Sequence, residues 1–163
     1  MRIFVRLFLL SVLMIPIGSF AQDPGSQPAA TTGGPSTQAT VYFYRYKQFV
    51  GSALAPSVYC DDGELARMDN GRFFEVHVAP GKHSFRSNDA QSGIDLEAKA
   101  GEKYYIRVEI AAGMMKGHGR LVLTPAEQGG YELKAKQLKP LDADRISDKS
   151  RVSSQDQLGM AAR

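Results

Sequence analysis

Ile94-Asp95-Leu96-Glu97-Ala98-Lys99-Ala100-Gly101-Glu102-Lys103-Tyr104-Tyr105-Ile106-Arg107-Val108-Glu109-Ile110 alternates apolar and polar side chains on both sides of a short Ala-Gly-Glu turn. Side chains of a strand point to opposite faces in turn, so this stretch predicts an antiparallel hairpin. Ile94, Leu96 and Ala98 share a core face with Tyr104, Ile106, Val108 and Ile110. Asp95, Glu97, Lys99, Tyr105, Arg107 and Glu109 share the wet one.

The same texture extends from Ala39 to about Leu141. Val41 and Phe43 alternate with Tyr42, Tyr44 and Tyr46; Val58–Cys60 and Glu64–Met68 flank Asp61-Asp62-Gly63; Asp69-Asn70-Gly71 leads into Arg72–Val78; and Ala79-Pro80-Gly81 turns into Lys82–Ser87. Pro supplies a fixed φ and Gly a positive one at such turns. A Gly113–Gly119 loop precedes Arg120–Thr124, and Gly129-Gly130 precedes a further expected strand at Tyr131–Leu138. Seven to nine short strands without a convincing helix predict an all-β antiparallel sandwich, because one open sheet that wide would leave an apolar face in water.

The flanks differ from the domain. Arg2 and Arg6, the apolar run Leu7–Ile17 and Ser19-Phe20-Ala21 form an expected signal peptide over residues 1–21, cleaved after Ala21 and before Gln22. The run is too short to span a bilayer, which takes about 20 apolar residues. With the only cysteine at Cys60, no lipid acceptor starts the mature chain. The expectation is an exported product, periplasmic or extracellular, soluble and not a lipoprotein. Residues 22–38 are rich in Pro, Gly, Ser, Thr, Ala and Gln and predict a flexible linker. Residues 142–163 are polar and predict a disordered tail, leaving one domain at 39–141.

The chain carries 20 Lys and Arg against 17 Asp and Glu, but two of the basic residues lie in the expected signal. The remaining near balance gives no footing for nucleic-acid binding. A single cysteine makes no internal disulfide, so the fold rests on its core, and Cys60 is expected to pack as a small buried hydrophobe.

Residues 39–141 resemble a family of secreted bacterial domains, domain of unknown function 2846, and more distantly the Pro-Glu-Gly-Ala type β-domains. The resemblance rests on Val41-Tyr42-Phe43-Tyr44-Arg45, Pro56-Ser57-Val58-Tyr59, Asn70-Gly71-Arg72-Phe73-Phe74, Val78-Ala79-Pro80-Gly81-Lys82-His83 and Ala100-Gly101-Glu102-Lys103-Tyr104-Tyr105. It implies a transthyretin- or prealbumin-like β-sandwich with no catalytic role. A fold analogy is not a mechanism.

Candidate chemistry is sparse. His77 and His83 flank the Ala79-Pro80-Gly81 turn and are weak metal candidates; with Cys60 and His118 on distant segments and no carboxylate at ligand spacing, the structural role is favoured and no metal or cofactor is expected. There is no Gly-x-Ser-x-Gly elbow and no acid, base and serine set with triad spacing, so no enzyme activity is expected. The binding candidates are Tyr42, Tyr44 and Tyr46 with Arg45, read as an outward stripe of amphipathic rings, and Met114-Met115 as an adaptable apolar contact. The expected function is a noncatalytic module that binds an envelope protein or polysaccharide. The alternatives are an assembly module that pairs through an edge strand and, less favoured, an enzyme with an unrecognised site.

Overall fold

Alternation of apolar and polar side chains dictates two sheets whose apolar faces meet, and the computed structural model, which describes residues 37–89, 93–111 and 117–153, has that arrangement. The strands are β1 Ala39–Tyr44, β2 Ser57–Cys60, β3 Gly63–Arg67, β4 Arg72–Val78, β5 Gly81–Arg86, β6 Ile94–Ala98, β7 Lys103–Ala111, β8 His118–Thr124, β9 Lys139–Pro140 and β10 Val152–Ser153. One sheet runs β10-β4-β1-β7-β8 with β9 also on β4; the other runs β3-β2-β5-β6.

Phe43 joins the layers. Its ring stacks on Phe74 across the β1–β4 pair at 5.1 Å and meets Phe85 of the opposite sheet edge-on at 5.5 Å. Around it Val41, Val58, Leu65, Met68, Val76, Ile106 and Val108 are fully or almost fully buried. Removing such side chains from water is the principal stabilisation of a fold without disulfides.

Several local expectations are corrected. The β1–β7 pair is parallel, with Tyr42 opposite Tyr105 and Phe43 opposite Ile106. Neither Ala79-Pro80-Gly81 nor Ala100-Gly101-Glu102 closes a hairpin: β4 and β7 lie in the first sheet and β5 and β6 in the second, so both turns carry the chain between layers. The hairpin expected over Ile94–Ile110 is replaced by pairing of β6 with β5 and of β7 with β1 and β8. The strand expected at Tyr131–Leu138 gives way to helix α1, Ala126–Ala135. Pro125 enters it with a helix-compatible φ of −51°, Glu127 lies in its first turn and Lys134 in its last, each matching the helix dipole. Gly129-Gly130, which resembles a turn signal, is instead where the helix lies against the sheet. An added Cβ on Gly129 would stand 2.3 Å from Tyr105 Cβ.

The boundary also moves. Residues 142–153 are not a disordered tail: a 3₁₀ turn at Ala143–Arg145 is followed by Ile146, bridged to Ala66, and by β10, antiparallel to β4 through Val152 and Val76. Ile146 and Val152 are buried in the core, which two apolar side chains in an otherwise polar stretch make physically favourable. The expected signal peptide, residues 22–36 of the expected linker, residues 154–163 and Met114-Met115 lie outside the described residues.

Candidate functional site

The tyrosine stripe does lie on the outer face of the first sheet, but it is not an open surface, because α1 packs over part of it. Tyr44 is fully buried; its hydroxyl lies 3.2 Å from Thr124 Oγ1 and donates to Glu132 Oε2 at 2.7 Å. Tyr42 stacks on Tyr105 with ring centroids 5.1 Å apart. The Tyr46 ring receives two cations, Arg107 at 5.4 Å and Lys136 at 5.1 Å. Arg107 in turn bridges Glu109 at 2.8 Å and Glu132 at 3.3 Å.

Electrostatics follow this geometry. Burial of the Glu132 carboxyl works against ionisation, yet hydrogen bonds from Tyr46, Gln128 and Tyr44 and the charge of Arg107 hold it down at about 2. Burial, aided by Glu75, pushes the Tyr42 hydroxyl up to about 12, and burial raises Tyr44 as well. The cluster is a set of satisfied hydrogen bonds and ion pairs fastening a helix to a sheet. The expected exposed binding stripe is corrected accordingly: the rings lie on the outer face, but α1 covers Tyr44, and Tyr42 and Tyr46 are half-buried.

Arg45 differs most from its expected place beside a surface stripe. It follows Val41 and Phe43 along the core-facing register and is only 1% exposed. Its Nη1 donates to the carbonyls of Leu54 and Met68 and its Nη2 to that of Gly51 at 2.7 Å, while Nε has no partner. Burial lowers its pKa and the charge of Asp69 opposes that. The bonds organise the loop from Tyr46 to Leu54. Asn70 closes the same loop, its Oδ1 accepting from Gln48 N and its Nδ2 donating to Gln48 O at 2.9 and 2.8 Å. Gly51, at φ +74°, makes the bend that L side chains rarely adopt.

At the tip of this framed loop Phe49 is 95% exposed and Val50 82%. Beside it Lys47, Arg72, Lys136 and Lys139 border a shallow hollow of about 420 Å³. Of these, Arg72 is paired with Asp142 at 2.9 Å.

A second cluster gathers potential metal ligands. Pairing of β2 with β5 sets Cys60 against Phe85 and brings Asp61 beside His83. Cys60 Sγ, an Asp61 carboxylate oxygen and an imidazole nitrogen of His83 lie within 4.8 Å of one another. This corrects the expectation that no cysteine or carboxylate approaches His83. His77 stands elsewhere, on the other sheet, with its ring 3.4 Å from Thr40 Oγ1 and 3.9 Å from Glu75. Cys60 is buried as expected, and burial, together with the neighbouring Asp61, pushes its thiol up to about 12. Such a thiol is a poor free nucleophile.

No described helix is long and apolar enough to cross a membrane. The chain is similar to an "Uncharacterized protein" of Haemophilus influenzae, 27% identical over 128 residues that cover 77% of this chain and 74% of that protein. No solved structure matches. The model of the family described as Protein of unknown function (DUF2846) matches residues 35–120, and with that span covering more than half of the sequence, the chain belongs to this family.

Proposed function

We propose that the chain is an exported, noncatalytic β-sandwich that docks on another protein of the cell envelope through its Tyr46–Leu54 loop. One observation carries this reading: Phe49 and Val50 stand 95% and 82% exposed on a loop whose carbonyls are held by a buried guanidinium. An exposed apolar pair is unremarkable by itself. Spending two of the three hydrogen bonds of a buried Arg45 on the loop that presents it is unusual, since burying a charge is costly unless it is satisfied. A fixed tip loses little entropy on binding, which favours a protein socket over a fluid bilayer. Burying both side chains would contribute about 1.5–3 kcal/mol each. Lys47, at the start of the loop, shares a hollow with Lys136 and Lys139, and these cations suit an acidic rim on the partner.

The test places a photoreactive phenylalanine analogue at Phe49 in cells that export the chain, with the same analogue at Tyr131 on α1 as control. The expected result is one protein adduct from position 49 and none from 131. The partner so identified should bind the wild-type chain at least ten-fold tighter than Val50→Asp. Equal adducts from both positions, adducts with lipid alone, or unchanged affinity in Val50→Asp would each remove the proposal.

A further inference from the structure

We propose that Cys60, Asp61 and His83 bind a divalent cation of zinc type, with the thiolate, one carboxylate oxygen and imidazole Nδ1 as ligands and a fourth position open. Three separate observations converge on it.

The two spacings to the shared carboxylate oxygen are those of a tetrahedral site, and all three ligand atoms lie within 4.8 Å of one another. Zn–S of about 2.3 Å and Zn–N and Zn–O of about 2.0 Å put S and O about 3.5 Å apart and N and O about 3.3 Å apart around one tetrahedral ion. Cys60 Sγ stands 3.5 Å from Asp61 Oδ2, and His83 Nδ1 stands 3.2 Å from the same oxygen.

The imidazole is oriented for coordination. His83 Nε2 lies 2.9 Å from the Ala79 carbonyl, which only accepts, so Nε2 carries the hydrogen and donates it. Nδ1 is then the ring atom that faces the Asp61 carboxylate, where a proton or a metal cation between the two satisfies both. A ligating histidine ordinarily has its other N–H tied to a backbone carbonyl or carboxylate in this way.

The carboxylate is clamped as well. Asp61 is one of two non-glycine residues with positive φ among the described residues, at +54°. Its N–H donates to Ser84 O at 2.7 Å and its Oδ1 accepts from Ser84 N at 3.1 Å, which leaves Oδ2 for the cluster. Strained backbone held by its surroundings gathers at functional positions. The nearby Arg151 guanidinium, against Gly63 and beside Cys60, is paired with Asp148 at 2.6 Å, so its charge does not stand uncompensated against an incoming cation. A thiolate and a carboxylate together balance a dication. The donor set of sulfur, nitrogen and one oxygen favours zinc over calcium or magnesium.

Cobalt(II) and zinc(II) added separately to the tag-free full chain provide the test. Cobalt should bind one to one and show the near-ultraviolet thiolate-to-metal charge-transfer absorption, which zinc then displaces. Cys60→Ala should abolish the absorption, and His83→Gln should weaken zinc binding at least ten-fold against a chromogenic chelator. His77→Gln should leave both unchanged. Wild-type chain without the charge-transfer absorption overturns the proposal whatever the variants do, and so does zinc bound equally well by the His83→Gln variant. Circular dichroism of each variant without metal separates loss of a ligand from loss of the fold.

Discussion

Tyr44 Oη donates to Glu132 Oε2 at 2.7 Å, a bond that ties the outer face of β1 to a helix 88 residues further along the chain. The tyrosine is fully buried, so its hydroxyl has no water to fall back on. Tyr44→Phe should keep the fold and lower stability by about 1.5–3 kcal/mol, the usual net effect of losing a bond to a charged acceptor. Chemical denaturation reads it directly; an unchanged midpoint would mean that the Tyr44 bond adds nothing to the Arg107–Glu132 ion pair and the packing that hold α1.

The same pair gives the domain a pH dependence. Glu132 is held at about 2, below its ordinary 4.5, so the folded state favours the ionised form. The stability this contributes is fully present above the unfolded value and is lost as pH falls from about 4.5 to about 2. Asp148, likewise held at about 2, by Ser150 and Arg151, contributes over a similar range. Glu132→Gln should therefore be less stable than wild type near pH 7, with a gap that closes on acidification. A gap of constant size between pH 7 and pH 3 would show that the loss is steric.

Gly129 and Gly130 adjoin in sequence and should respond oppositely to alanine. At Gly129 a Cβ would meet Tyr105 Cβ at 2.3 Å, too close for any L residue without moving the helix, and overpacking of this kind costs about 1–3 kcal/mol. At Gly130 the nearest atom is Tyr105 Oη at 3.5 Å, an ordinary contact, and alanine is the better helix former by about 0.5–1 kcal/mol. Thermal unfolding of the two variants should thus move in opposite directions. Equal effects would mean that α1 does not sit on Tyr105 in solution.

These glycines also mark where the sequence stopped being legible. Alternation in Ile94–Ala98 and Lys103–Ile110 is a local property, and it placed Leu96, Ile106 and Val108 inside without knowledge of any neighbour. Whether Gly129-Gly130 turns a chain or admits an aromatic ring depends on Tyr105, which no local pattern connects to it. The Cys60, Asp61 and His83 cluster was hidden for the same reason: its members meet only because β2 pairs with β5. Arg45 is different, since continuing the Val41, Phe43 alternation by one step already assigns it to the core face. Its positive charge argued against that placement, and three backbone carbonyls overrode the argument.

Ending the chain after Leu141, the boundary that composition suggests, should weaken the domain. That cut removes Ile146 and Val152, both buried, at about 1.5–3 kcal/mol each, and opens the β4 edge that β10 covers. Ending it after Ser153 removes no described contact. The shorter chain should unfold at markedly lower denaturant and the longer one should match the full chain; equal stability of both would place residues 142–153 outside the cooperative unit.

Arg45→Met separates the frame of the Tyr46–Leu54 loop from its tip. The substitution keeps most of the buried volume but leaves the Leu54 and Met68 carbonyls without their guanidinium donor, while Gly51 O keeps the Leu54 N–H, at a cost of about 1–3 kcal/mol for each group that finds no other partner or water. Met also removes the cost of burying a charge, so the net loss should be smaller than the three bonds suggest. What must change is local order: limited proteolysis should cut between residues 46 and 54 in the variant well before it cuts wild type. Phe49→Ser touches nothing buried and should leave stability within about 0.5 kcal/mol while weakening any partner contact. If Phe49→Ser proved as destabilising as Arg45→Met, the tip would be packed in solution. The rigid apolar knuckle on which the docking proposal stands would then not exist.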